Sequence, residues 1–82
     1  MAADRWASLY ADHVRRLRGL AAAITFDPSA ADEVVQDAYA GLIARGDDVE
    51  QPVAYLQRSV INLAINTVRR RRRFQGLPQR RG

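Results

Sequence analysis

Apolar positions recur at three- and four-residue spacing along most of this chain, the pattern of amphipathic helix rather than of strand. In the first segment Trp6, Leu9, Tyr10, His13, Leu17, Leu20, Ala21 and Ile24 keep that spacing. It predicts a helix from Asp4 to Thr25, with Asp4 as its N-cap. Arg15, Arg16 and Arg18 fall on the other side and read as solvated. Gly19 weakens the middle by about 1 kcal/mol relative to alanine and so points to close packing. His13 lies inside the apolar stripe, where a lone histidine is a packed side chain far more often than a ligand.

Phe26-Asp27-Pro28 interrupts the pattern and Ser29 restarts it. Ser29 followed by Asp32 is a capping sequence, which predicts a second helix from Ala30 to Arg45 with Gly46 just past its end. Ala31, Val34, Val35, Ala38, Tyr39, Leu42 and Ile43 form its buried side. Another side carries Glu33, Gln36, Asp37, Ala40 and Ala44. Its small residues admit a close partner and its acids can receive arginines, although on the residues alone an ordinary solvated face is the simpler reading. Gly46 to Gln51 is a short loop with three acids.

The third segment, Pro52 to Arg73, is the one around which the chain is organised. Proline suits a first helical position, no breaker interrupts the run, and Gly76 and Pro78 follow as stop signals. At about 100° per residue, Val53, Leu56, Val60, Leu63, Ala64 and Thr67 share one side. Tyr55, Arg58, Ser59, Asn62, Asn66, Arg69 and Arg73 share the opposite side. Such a row of amides, hydroxyls and guanidiniums can bond base edges and neutralise phosphates. A plain solvated face is the competing reading, weakened because the arginine run has no acids near it in sequence. The segment 74–82 reads as a basic linker or tail, leaving 1–73 as one all-α, compact three-helix bundle.

Charge sharpens this picture. Residues 1–50 carry five arginines against nine acids, a net of −4, while residues 51–82 carry eight arginines and no acid, a net of +8. That split predicts two partners of opposite preference. Every basic residue is arginine, which forks onto phosphate and stacks on bases better than lysine. An interfacial membrane helix would need a broad apolar face with aromatics, and the Val, Leu, Ala and Thr side here is sized for a helix seam. Nucleic acid is therefore expected, and a membrane is not. With no cysteine, no secretory leader pattern and no apolar run of spanning length, the expected location is cytoplasmic.

Catalytic chemistry has little to draw on. The chain has one histidine and neither cysteine nor lysine, and Asp32, Glu33 and Asp37 diverge around one helix. No glycine-rich phosphate loop exists. A binding protein without cofactor or metal is expected, not an enzyme.

Two pieces of the chain, Asp32-Glu-Val-Val-Gln-Asp37 with Tyr39, and Tyr55-Leu-Gln-Arg58 followed by Asn62-Leu-Ala, resemble region two of bacterial sigma factors in order and separation. The extracytoplasmic-function (ECF) group is the most similar, and the resemblance covers about Trp6 to Arg73. It implies that the second helix docks on the clamp coiled coil of the largest subunit of core RNA polymerase. Asp32, Glu33, Gln36 and Asp37 would meet polymerase arginines, with Val35 and Tyr39 packing beneath or beside them. The third helix would read the −10 promoter element. The loop Gly46 to Gln51 would help capture an unstacked non-template base, and Tyr55, Arg58, Asn62, Asn66, Arg69, Arg70 and Arg73 would handle bases and backbone. Such factors usually continue into a helix-turn-helix that reads the −35 element, and an inhibitory anti-sigma factor commonly covers the same surfaces. The alternative is a stand-alone arginine-rich helical domain that binds structured RNA or duplex DNA without polymerase. In every version Asn62 and Asn66 must face water.

Overall fold

A computed structural model describes the backbone of residues 2–81 and the side chains of residues 6–75. Three helices follow one another: α1 (Ala2–Thr25), α2 (Pro28–Arg45) and α3 (Pro52–Arg81), with a single 3₁₀ turn, Gly46–Asp48, ahead of α3. Each helix packs on both of the others, giving the three-helix bundle that the periodicity predicts.

The seam is made from one face of each helix. Trp6, Leu17 and Ala21 of α1 meet Ala31, Val34, Val35, Ala38 and Leu42 of α2 and Leu56, Val60 and Ala64 of α3, all buried. Four of these are alanines, so the helices close on one another through small side chains instead of a thick layer of large ones. Leu9, Tyr10, Leu20, Ile24, Tyr39 and Leu63 line the margins. Ile43, expected inside, is 47% exposed. It lies one position beyond Leu42, and the narrow buried stripe of α2 leaves it on the flank.

The helix ends differ from those that the capping residues predict. The first helix begins at Ala2, so Asp4 lies within its first turn and is not its N-cap. The second starts two residues earlier than expected. Asp27, in extended backbone, accepts from Ser29 N at 3.0 Å and Ala30 N at 3.4 Å, and Pro28 takes the first helical position. An aspartate directly ahead of a proline thus caps in place of Ser29. Gly46, at φ 62°, ends α2 as predicted and donates its N–H to Leu42 O. The third helix does not stop after Arg73 but continues through Gly76 and Pro78 to Arg81. Adding residues to a nucleated helix gains one bond per residue, and the helix runs on although an interior glycine costs about 1 kcal/mol and an interior proline about 3 kcal/mol. Gly19 does not mark close packing: nothing lies within 4 Å of where its Cβ would be.

One polar corner ties all three helices together. The Thr25 hydroxyl, buried at the end of α1, donates to Ala21 O at 2.9 Å and accepts from Asp27 N at 3.3 Å. Arg71 of α3 donates to Thr25 O at 3.0 Å, and its second amino group lies 3.8 Å from Asp27 Oδ2. Asp27 therefore caps α2 with one oxygen and faces Arg71 with the other.

Candidate nucleic-acid and docking faces

The polar stripe of α3 turns outward. Asn62, Asn66, Arg58, Arg69, Arg70 and Arg73 are exposed, while Tyr55 and Ser59 are half-buried beside α2. Asn62 and Asn66 sit one turn apart with their amides toward solvent, where donor and acceptor are both available. The arginine run is not uniform. Arg71 is drawn inward to the Thr25–Asp27 corner, and Arg69, Arg70, Arg72 and Arg73 face water. The signal for this was present in the chain, because Val60, Ala64, Thr67 and Arg71 continue one seam at four-, three- and four-residue steps.

On α2, Glu33, Gln36 and Asp37 are exposed. Among the described residues neither Glu33 nor Asp37 has an ion-pair partner. Asp32 differs, since its carboxylate is held by Arg18 Nε of α1 at 2.6 Å. Arg18 is thus paired rather than merely solvated, although a pair this open to water contributes about 0–1 kcal/mol. Val35 is 1% exposed and belongs to the core, beneath the acidic face and out of reach of any partner. Tyr39 is half-buried against Tyr10, with ring centroids 4.5 Å apart and planes tilted by 48°. Burial, with a further push from the Tyr10 phenol, raises the Tyr39 hydroxyl above its ordinary range, so it stays neutral.

Two shallow grooves flank Tyr55. One, between α2 and α3, is lined by Asp37, Ala38, Gly41, Tyr55, Ser59, Asn62 and Leu63. The other, at the start of α3, is lined by Val49, Glu50, Gln51, Ala54, Tyr55 and Arg58. The acidic face and the amide row are therefore neighbours that share a wall at Asp37 and Asn62. Arg45, at the end of α2, lies over the Tyr55 ring at 5.7 Å from its centroid. Sequence reasoning passed over this residue because the pairing depends on how α2 crosses α3.

Among the described residues no set of three or more His, Cys, Asp or Glu side chains gathers to hold a metal, and no helix is long and apolar enough to cross a membrane. Residues 9–74 match the family model for Sigma-70 region 2. No curated protein and no solved structure matches the chain. A match over most of the chain, on a three-helix bundle, places this protein in the Sigma-70 region 2 family. That is a family of transcription initiation, not of enzymes, whose members bind core RNA polymerase and promoter DNA. The stand-alone arginine-rich alternative gains no support from this match.

Proposed function

We propose that this domain belongs to the ECF group, docks on the clamp coiled coil of core RNA polymerase through α2, and engages the melted −10 element through α3. On this reading residues 1–73 are the working domain and it acts in the cytoplasm. The observation that carries the proposal is the exposure of Asn62 and Asn66 in line with Arg58, Arg69, Arg70 and Arg73 on one helix, beside exposed Glu33, Gln36 and Asp37 on its neighbour. Amides select bases, guanidiniums hold the backbone, and carboxylates receive a basic protein surface.

The roles divide accordingly. Glu33 and Asp37 supply charge to the polymerase contact and Gln36 adds a neutral hydrogen bond, while Asp32 is shared with Arg18. Tyr39 borders this face and Val35 supports it from within. On the DNA side Asn62 and Asn66 meet unpaired bases of the non-template strand, and the groove beside Glu50, Gln51 and Tyr55 accepts a base turned out of the stack. Unstacking a base costs a few kcal/mol, which aromatic stacking and amide bonds offset. An anti-sigma partner would act by covering these two faces.

Two classes of variant test the assignment. Glu33→Arg with Asp37→Arg should abolish binding to core polymerase and leave the helical circular-dichroism spectrum unchanged. Asn62→Ala or Asn66→Ala should spare polymerase binding and weaken capture of a −10 bubble by about 1–3 kcal/mol. Normal polymerase binding by the acidic-face double variant would falsify the docking role of α2.

A further inference from the structure

Tyr55 is held in place from α2, by two residues that neither the sequence pattern nor the family match assigns. The first is Gly41. A Cβ there would sit 3.2 Å from Tyr55 Oη, tighter than most Cβ contacts, so the bare backbone of α2 leaves room for the tyrosine hydroxyl. The second is Arg45, whose guanidinium carbon lies 5.7 Å from the centre of the Tyr55 ring, within cation–π range. Gly41 and Arg45 are one turn apart on α2, so they bracket the tyrosine, one at its hydroxyl and the other over its ring. Tyr55 in turn is common to both grooves, the one shared with Asp37 and Asn62 and the one shared with Glu50 and Arg58.

We propose that Arg45 and Gly41 are positioning residues for the nucleic-acid face: they fix the Tyr55 ring so that unpaired bases meet a preset stacking and hydrogen-bonding edge. This rests on the reading of α3 as that face. A bland role for Arg45 exists, because a cation in the last turn of α2 complements the helix dipole. Lysine serves the dipole equally well and can also stand over a ring, whereas glutamine loses the cation altogether. The Tyr55 ring separates the two roles: loss of a dipole partner lowers stability and leaves the ring where it is, while loss of the cation–π partner moves the ring. The Gly41→Ala substitution separates them from a second direction. Alanine is the better helix former, and its Cβ requires the Tyr55 hydroxyl to give way by a few tenths of an ångström.

The test uses the whole chain bound to core RNA polymerase, titrated with short single-stranded oligonucleotides of random sequence, together with the tyrosine ring resonances of the chain by NMR. Arg45→Gln and Gly41→Ala should each weaken oligonucleotide binding about two- to fivefold and leave the affinity for polymerase unchanged, while Arg45→Lys, which keeps a cation, should lose less than Arg45→Gln. The Tyr55 resonances should shift in all three. Wild-type oligonucleotide affinity in Arg45→Gln, or unmoved Tyr55 resonances in that variant, would overturn the proposal. Asn62→Ala serves as the reference. If it weakens binding and the Arg45 and Gly41 variants do not, this inference fails and the function of α3 stands. If Asn62→Ala also binds as wild type, both fall together.

Discussion

At Phe26 the backbone turns with φ 55°, and the aromatic side chain is left 88% exposed. It occupies the position just past α1, and its N–H bonds to Ala22 O at 2.8 Å, a closing turn for which glycine is the usual residue. A bulky residue pays about 1 kcal/mol or more for left-handed backbone, and here almost none of that is recovered by packing. Phe26→Gly should accordingly raise stability by about 0.5–1 kcal/mol, read as a higher midpoint in urea. A loss of stability would mean that the ring packs in a way its exposure does not reveal. Such a position is illegible in a sequence, since Phe26-Asp27-Pro28 announces a break but not which residue takes the positive φ.

Among the elements, α3 is fixed to its partners by an apolar seam along its first half and by Arg71 farther on. Arg71→Ala removes the guanidinium that meets Thr25 O and Asp27, and should cost about 1–2 kcal/mol while Arg69→Ala or Arg73→Ala stays within about 0.5 kcal/mol. Asp27→Ala should cost at least as much as Arg71→Ala, because it strips the cap from α2 as well. Thermal denaturation of the four variants decides this, and equal effects across the arginines would contradict the corner. The three helices, their order and most of the core were legible because apolar periodicity survives any arrangement of the bundle. The ends were less so. Asp27 and Ser29 are both good caps, and the choice between them depends on Pro28 taking the first helical turn. The amide row on α3 was legible for the same periodic reason, whereas Arg18 with Asp32 and Arg45 with Tyr55 arise only from the way helices cross.

For the molecule as a whole, the imbalance between a net −4 over residues 1–50 and +8 over residues 51–82 becomes a division by surface. Glu33 and Asp37 stand on α2, and Arg58, Arg69, Arg70 and Arg73 line α3. Four outward guanidiniums in contact with a single strand predict a log–log salt slope of about −3, at roughly −0.7 per phosphate. Replacing Arg69 and Arg73 by glutamine should flatten that slope by about 1.4, while Arg71→Gln should leave it unchanged. Oligonucleotide titrations across a salt series with polymerase present would check both, and a slope that ignored Arg69 and Arg73 would argue against a strand lying along this helix.

The crevice bordered by Asp37 on one bank and Asn62 on the other carries a consequence for such measurements. On the proposed reading, a protein seated upon α2 supplies part of the lining past which the oligonucleotide threads. Occupancy of one bank then alters electrostatics and hydration on the opposite bank, so the two affinities are thermodynamically linked and each must be measured with the other ligand both present and absent.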